Sequence, residues 1–309
     1  MRIGIVVDAS CDLPHSYIES NGLVVVPGLI EFGERAVLDS REPRETLAWY
    51  RRELADHRLE ARTVAPTIDQ IRDLFLNDLV LRFDRVLMLC MSASRGRVFS
   101  HATQASYQIL QGYREKRQEA ELTEPFALRV LDTRNVGPGE GILAHAAVSM
   151  ISSGDPPFEK LRRTIKDRSR HIVSYLVPDD LYYLRRRAVA KGENALATSG
   201  RQIGRLFNLK PVLEMRRGET AVVGRIRGFE RAVTSVLERA RAAVRSGYVR
   251  GAMTVSYGGE LKEIEGLGIW QEFESFAARR QVDLHLAVMS ATLAVNVGPG
   301  AFAIAWLED

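Results

Sequence analysis

The chain contains little cysteine and few aromatic residues, and it lacks any long hydrophobic run. Only two of its 309 residues are cysteines, Cys11 and Cys90, which excludes a disulfide framework and favours a reducing compartment. No stretch approaches the roughly eighteen consecutive apolar residues of a membrane span. A signal peptide is not expected either, because Asp8 interrupts the first apolar run. We therefore predict a cytoplasmic protein with no integral membrane association.

Recognisable metal and nucleic-acid patterns are missing as well. The six histidines are dispersed, and neither Cys-x-x-Cys nor His-x-x-x-His occurs, so no metal site is predicted. Lys and Arg number 43 against 39 Asp and Glu, a net charge of +4. This excess is much weaker than the clustered charge of a dedicated nucleic-acid binder. We expect no nucleic-acid partner.

The composition is that of a globular protein with about two domains, at a prior of roughly 150 residues per domain. Strand-like and helix-like segments alternate through residues 1–155, which predicts an N-terminal α/β domain with a parallel sheet. Residues 156–309 predict a C-terminal α+β domain whose sheet is largely antiparallel, with a hairpin around Arg216–Gly218. The junction is placed in the Ser-Gly-Asp-Pro-Pro stretch at residues 153–157.

Loops that follow the predicted strands are the candidate binding region. In parallel sheets such loops form the ligand crevice at the carboxyl ends of the strands. We expect four segments to meet there: Asp8–Asp12, the turn-like Thr63–Thr67, Ser92–Phe99 and Asp132–Gly141. A further turn is predicted over Asn296–Gly300, between the last two strands.

Two motifs leave alternatives open. The glycine-rich Gly137–Gly141 could place backbone amides against an anion, but without a P-loop lysine it favours simple packing of a helix against a strand. Ser92 and Thr63, with the acids Asp8 and Asp12, could belong to a hydrolase or a phosphotransfer enzyme. That hypothesis lacks a general base other than His101, and the nucleophile-elbow sequence Gly-x-Ser-x-Gly is absent.

Eight short segments follow one another in an order known from one protein family. They are Asp8–Pro14, Val26–Leu29, Thr63–Thr67, Val130–Thr133, Asp180–Leu184, Leu209–Leu213, Arg227–Gly228 and Gly298–Ala301. The first resembles Asp-Ser-Thr-Ala-Asp-Leu-Pro, the third is similar to Thr-Ser-x-Pro-Ser, and the last is similar to the family's Gly-Pro-Gly turn. Together they resemble the DegV family, which includes bacterial fatty-acid-binding proteins.

The resemblance implies a two-domain DegV-like fold and a carrier function without catalytic residues. A long-chain fatty acid would lie in an apolar tunnel, with its carboxylate at the domain interface. No cofactor other than this ligand is implied, and the partner would be a fatty-acid kinase. The carboxylate site implied by the matching positions comprises Thr63, Ser92, Asn296 and Gly298. Further candidates at or beside these positions are Val64, Ala93, Arg95, Arg97 and Arg187.

Two departures from the family pattern fall at the carboxylate end. The family's hydroxyl-rich loop appears here as Ser92–Phe99, with Arg95 and Arg97 in place of small residues. Asn296 stands where the family has a histidine. We hypothesise that one of these arginines takes over anion recognition, because a guanidinium offers a permanently charged, planar fork. The alternative is a DegV-like regulatory protein that has lost lipid binding.

Overall fold

Strands and helices alternate along most of the chain in the computed structural model, which describes residues 1–54, 61–154, 156–190, 208–249 and 251–308. The strands, β1 to β13 in chain order, are Ile3–Asp8, Val24–Val26, Gly28–Phe32, Arg35–Asp39, Ala61–Val64, Arg85–Cys90, Ala127–Asp132, Ile172–Val177, Leu209–Arg216, Glu219–Arg227, Ala252–Tyr257, Asp283–Val288 and Phe302–Leu307. The helices, α1 to α13, are His15–Ser20, Pro43–Trp49, Ile68–Leu74, Val80–Arg82, Val98–Gln108, Tyr113–Glu119, Pro138–Ser152, Phe158–Arg168, Leu181–Ala190, Phe229–Arg245, Leu261–Glu265, Gly268–Arg279 and Ala291–Val297. In these ranges, no helix combines the length and apolar character needed to cross a membrane.

A parallel sheet of four strands, in the order β2-β1-β6-β7, organises the first half of the chain. Its central strands read Ile-Gly-Ile-Val-Val-Asp and Arg-Val-Leu-Met-Leu-Cys, and both are buried at all but their first residue. Continuous apolar runs of this kind are typical of parallel strands covered on both faces. The predicted α/β arrangement of this half is confirmed.

A second, antiparallel sheet in the same half, in the order β4-β3-β5, is absent from the sequence prediction. Pro27 separates β2 from β3, because proline cannot donate to a central ladder. Thr63 pairs with Ile30 and Val64 pairs with Leu29. The prediction of a turn across Thr63–Thr67 is therefore wrong at its first two residues, which complete β5.

The second half of the chain forms a six-stranded sheet in the order β10-β9-β8-β13-β11-β12. Every neighbouring pair is antiparallel except β11 and β12. The predicted hairpin joins β9 to β10 through Arg217 and Gly218, whose φ angles of 55° and 90° suit a tight turn. The largely antiparallel sheet is confirmed, whereas a domain boundary after residue 155 stays a prediction.

Helix α7 lies between the two large sheets. It contacts β1 and β6 on one side and β8, β11 and β13 on the other. It begins after Gly137, which has a φ of 60°. A Cβ on Gly141 would lie 2.5 Å from the backbone oxygen of Asp12, so glycine permits the close approach of α7 to the loop after β1. In this fold the segment Gly137–Gly141 packs a helix against a strand.

Helix α13 occupies part of a predicted turn. Asn296 lies inside the helix, and the turn begins only at Gly298, which has a φ of 91°. The hydroxyl of Ser290 accepts a hydrogen bond from the backbone N–H of Leu293 (3.1 Å) and so caps the helix. The predicted start of the turn at Asn296 is wrong, because the capped helix continues through Val297. α13 packs against β3, β5 and α9.

Two histidines and a tyrosine meet where α1, α7 and β12 pack together. Nδ1 of His145 lies 3.0 Å from the hydroxyl of Tyr17, and its Nε2 lies 3.2 Å from Oγ of Ser149. The rings of His145 and His285 are 4.6 Å apart between centroids. Burial lowers the pKa of His145 to about 4 and also lowers the pKa of His285. Both imidazoles are therefore neutral at pH 7.

This cluster predicts a loss of stability in acid. A buried histidine whose pKa lies below its unfolded value of about 6.5 binds a proton more weakly in the folded state than in the unfolded state. The free energy of unfolding therefore decreases as the pH falls from about 6.5 towards 4. We expect His145→Gln, which keeps hydrogen-bonding groups but cannot titrate, to lose less melting temperature over that range than the unaltered protein. The matched control is His171→Gln at an exposed histidine. If the melting temperatures of the unaltered protein and of His145→Gln fall by the same amount between pH 7 and pH 4.5, the effect is refuted.

Candidate ligand-binding site

The loops at the carboxyl ends of β1, β6 and β7 are tied together by hydrogen bonds. The carboxylate of Asp8 accepts from the backbone N–H of Met91 (2.7 Å). The carbonyl of Gly137 accepts from the N–H of Asp12 (3.2 Å), and the carbonyl of Asn135 accepts from the N–H of Ser92 (2.8 Å). The predicted meeting is therefore confirmed for three of the four segments, Asp8–Asp12, Ser92–Phe99 and Asp132–Gly141.

A cavity of about 510 Å³ lies between these loops and one face of the six-stranded sheet, within the range of small-molecule sites. The strand register places its apolar side chains on that face, because Leu176 pairs with Leu213 and Ala303, and Met215 pairs with Ser174. Apolar residues from the other elements include Met91, Val136, Leu184, Leu293 and Val297. The cavity can therefore hold an apolar chain.

Three polar residues on the cavity wall come from elements packed against one another. Thr63 lies on β5, Arg187 on α9 and Asn296 on α13, and α13 contacts both of the other elements. The side chain of Asn296 donates to the backbone oxygen of Thr292 (2.9 Å), which leaves its own oxygen free to accept. We refer to Thr63, Arg187 and Asn296 as the polar corner.

A second polar region of the wall lies beside the β9–β10 hairpin. Arg95 donates from Nη2 to the hydroxyl of Thr220, and both residues line the cavity together with Glu219. The hairpin also covers Ser92, since a Cβ on Gly218 would lie 3.6 Å from its hydroxyl oxygen. Arg95 thus lines the cavity from within the loop Ser92–Phe99, in which the family pattern has small and hydroxyl residues.

The remaining predicted site residues do not line the cavity. Ser92 is 2% exposed and its hydroxyl pairs with that of Ser94 (3.0 Å). Ala93 and Arg97 are exposed, and Arg97 directly precedes α5. Val64 pairs with β3, and Gly298 packs so closely that a Cβ would lie 2.6 Å from the ring of Tyr183. A direct ligand contact from any of these five stays a prediction.

Behind the cavity wall, Asp8 and Glu140 form a buried acid pair. The hydroxyl of Ser10 is hydrogen-bonded to Oε2 of Glu140 (2.9 Å), and the N–H of Asp8 donates to Oε1 (3.2 Å). Burial raises the pKa of Glu140 well above its usual range, and the charge of Asp8 raises it further. Burial also raises the pKa of Asp8. Burial therefore disfavours the charged forms of both carboxyl groups, and Ser10 stands between Glu140 and the cavity.

A buried ion pair fixes the start of α13. One carboxylate oxygen of Asp12 lies 3.4 Å from Arg41 and accepts from the N–H of Ser290 (2.8 Å). The carboxylate of Asp39 accepts from the N–H of Thr292 (2.7 Å) and from the N–H of Arg41 (3.3 Å). This ion-pair group, Asp12, Asp39 and Arg41, joins the first half of the chain to the helix that carries Asn296.

The geometry gives no support to catalysis by Ser92 or Thr63. The carboxylates of Asp8 and Asp12 accept backbone hydrogen bonds that hold the fold together. His101 contacts the backbone oxygen of Pro66 (2.8 Å). In the described ranges, no histidine is hydrogen-bonded to Ser92, and no cluster of three or more His, Cys, Asp or Glu side chains is arranged to hold a metal.

Sequence reasoning missed several polar residues of the wall. Ser10 lies within the predicted segment Asp8–Asp12 but was not among the candidate site residues, and Ser174 lies in β8. Ser10 lies two residues after the end of the parallel strand β1, a position that signals a ligand crevice. Ser174 and Leu176 share one face of β8 by strand alternation, but the pattern does not reveal which face borders a cavity.

Comparison with known proteins places this architecture in a family. A family model described as "Uncharacterised protein, DegV family" matches residues 2–309. The chain belongs to the DegV family. A DegV domain-containing protein of Xanthomonas campestris pv. campestris is 39% identical over 309 residues, which cover all of this chain and 98% of that protein. A protein of Thermotoga maritima named "Fatty acid-binding protein" is 22% identical over all of this chain and 99% of its own length.

Solved DegV structures share the fold. A stearic acid-binding protein from Eubacterium ventriosum superposes with a TM-score of 0.78 at 20% identity, covering 99% of this chain and 98% of that one. A structure described as fatty acid binding of a DegV family protein from Thermus thermophilus has a TM-score of 0.77 at 23% identity, with both chains fully covered. The DegV fold expected from the sequence motifs is confirmed.

Proposed function

We propose that this DegV protein binds a long-chain fatty acid, or a similar amphiphilic anion, in the cavity and performs no catalysis of its own. The observation that carries the proposal is the cavity itself, which combines a largely apolar floor with the cations Arg95 and Arg187 on its wall. DegV proteins with this fold are described as binding fatty acids. An apolar chain enclosed there gains roughly 0.8 kcal/mol for each buried CH₂.

The polar corner is the best place for the carboxylate. Thr63 offers a hydroxyl, Arg187 a guanidinium and Asn296 an amide, and the elements that carry them pack together. Arg95 lies in the other polar region of the wall, beside the β9–β10 hairpin. We therefore assign the carboxylate to Thr63, Arg187 and Asn296, and not to Arg95 or Arg97 as first hypothesised.

Binding measurements on single variants test this assignment. A hydrogen bond to a charged group contributes about 1.5–3 kcal/mol, so Thr63→Ala and Arg187→Ala should each weaken the binding of stearic acid to delipidated protein about tenfold or more. Arg97→Ala, at an exposed residue outside the wall, is the matched control and should bind as before. Ser92→Ala and Arg95→Ala test the two alternatives, in which the carboxylate is bound by Ser92 or by Arg95.

Affinity that falls in Ser92→Ala or Arg95→Ala but not in Thr63→Ala or Arg187→Ala would move the carboxylate to the loop after β6. No saturable binding of stearic acid by the delipidated protein would refute the proposed function. Because Asn296 does not titrate, affinity should also stay flat between about pH 6 and 8. An affinity that falls across that range would indicate that a histidine is among the residues that bind the carboxylate.

Presentation of the bound acid to a fatty-acid kinase is the second part of the proposal. It rests on the family resemblance. A cytoplasmic location and the division into domains 1–155 and 156–309 also stay predictions.

A further inference from the structure

Two serine hydroxyls interrupt the apolar wall of the cavity, in addition to the residues assigned to the carboxylate. Ser10 and Ser174 both line the cavity, although they are only 2% and 6% exposed. Each is hydrogen-bonded to a buried polar side chain near the start of α7, one in the loop before the helix and one in its first turn. Ser10 is hydrogen-bonded to Glu140 (2.9 Å), and Ser174 to Asn135 (2.8 Å). We call Ser10 and Ser174 the serine pair.

The hydrogen bonds behind Ser174 make it an acceptor towards the cavity. Oδ1 of Asn135 accepts from the N–H of Val136 (3.0 Å) and from the hydroxyl of Ser174. The hydrogen of Ser174 is therefore used within the protein, and only oxygen lone pairs face the cavity. The amide nitrogen of Asn135 is buried without a partner among the described residues.

The hydrogen bonds behind Ser10 make it an acceptor towards the cavity as well. Its hydroxyl donates to Oε2 of Glu140 (2.9 Å), while Oε1 of Glu140 accepts from the N–H of Asp8 (3.2 Å). The hydrogen of Ser10 is therefore used within the protein, and oxygen lone pairs face the cavity.

From this arrangement we infer that the cavity selects an acyl chain bearing a hydroxyl substituent, a hydroxy fatty acid, and that the serine pair is the subsite for that hydroxyl. A hydroxyl on the ligand can donate to either serine oxygen, whereas a carbonyl oxygen only accepts and can pair with neither serine. An unsubstituted chain leaves the lone pairs of these buried serine oxygens facing methylene groups without a donor, which is unfavourable. A site built to bind a hydroxyl discriminates against the analogue that lacks it.

The inference rests on the proposed function and is tested separately from it. Delipidated protein is titrated with stearic acid and with hydroxystearic acids that carry the hydroxyl at different positions along the chain. We expect at least one positional isomer to bind about tenfold more tightly than stearic acid. Ser10→Ala or Ser174→Ala should abolish this advantage while stearic acid binds as tightly as before, or more tightly. Ser246→Ala, at an exposed serine, should change neither.

Each outcome decides one of the two proposals. If stearic acid binds and no isomer binds more tightly, or if the advantage survives in both serine variants, the serine pair has only a structural role at the start of α7 and the inference is wrong. If neither stearic acid nor any isomer binds, the proposed function fails and the inference fails with it. Melting temperatures of the variants establish that each one is folded.

Discussion

Replacing Arg41 with methionine is expected to lower the free energy of unfolding by about 3–5 kcal/mol, the cost of leaving a buried charge without its partner. The Arg41 and Asp12 side chains are 4% and 0% exposed, and they lie 3.4 Å apart. Methionine keeps much of the length of arginine but removes the charge. Asp12 and Asp39 would then lose their shared cation, while burial already raises the pKa of Asp12. The start of α13 depends on both carboxylates, so fatty-acid affinity should fall as well.

Arg51→Met is the matched control for this prediction. Arg51 also joins the two halves of the chain, through Glu260 at 2.6 Å, but the two side chains are 69% and 34% exposed. An exposed pair contributes about 0–1 kcal/mol. Urea unfolding of both variants measures the difference in the free energy of unfolding. Equal losses in the two variants would contradict the role given to the ion-pair group.

Ala303→Phe is expected to weaken fatty-acid binding about 100-fold, which corresponds to nearly 3 kcal/mol at 1.4 kcal/mol per tenfold. Ala303 lies on the central strand β13, between Leu176 of β8 and Ser256 of β11, and forms part of the cavity floor. A phenyl ring there would occupy space that the acyl chain needs. Because the added ring enters a cavity of about 510 Å³ and not a filled core, we expect the protein to remain folded.

Ala36→Phe, at an exposed position on the edge strand β4, controls for the added hydrophobic surface. Calorimetric titration with stearic acid gives the affinity of both variants, and melting curves verify that they are folded. A folded Ala303→Phe protein that binds as tightly as Ala36→Phe would mean that the ligand lies elsewhere.

Much of the fold was predictable because its signals are local. The buried runs of β1 and β6 are continuous and apolar, as parallel strands require. The hairpin of β9 and β10 has strand-like segments on both sides of Arg217 and Gly218. Signals of this kind are contained within about ten residues, so they can be read without tertiary information.

Helix α13 could not be predicted in the same way. Its sequence, Ala-Thr-Leu-Ala-Val-Asn-Val, is short and contains β-branched residues that disfavour helix. Its first turn is held by the carboxylates of Asp12 and Asp39, which are more than 250 residues away along the chain. Tertiary contacts therefore override the local preference.

The candidate site was predictable only in part. The motifs identified Thr63, Asn296, Arg95 and Arg187, all of which line the cavity. Ser10 and Ser174 gain their importance from Glu140 and Asn135 behind them, and a sequence does not reveal such pairings between distant elements.

The most direct test of the central claim is native mass spectrometry of the purified protein, followed by lipid extraction. The account predicts a mass increase equal to one long-chain fatty acid per chain, a matching acid in the extract, and neither in Ala303→Phe. An extract without a stoichiometric amphiphile, together with no measurable fatty-acid binding by the delipidated protein, would contradict it.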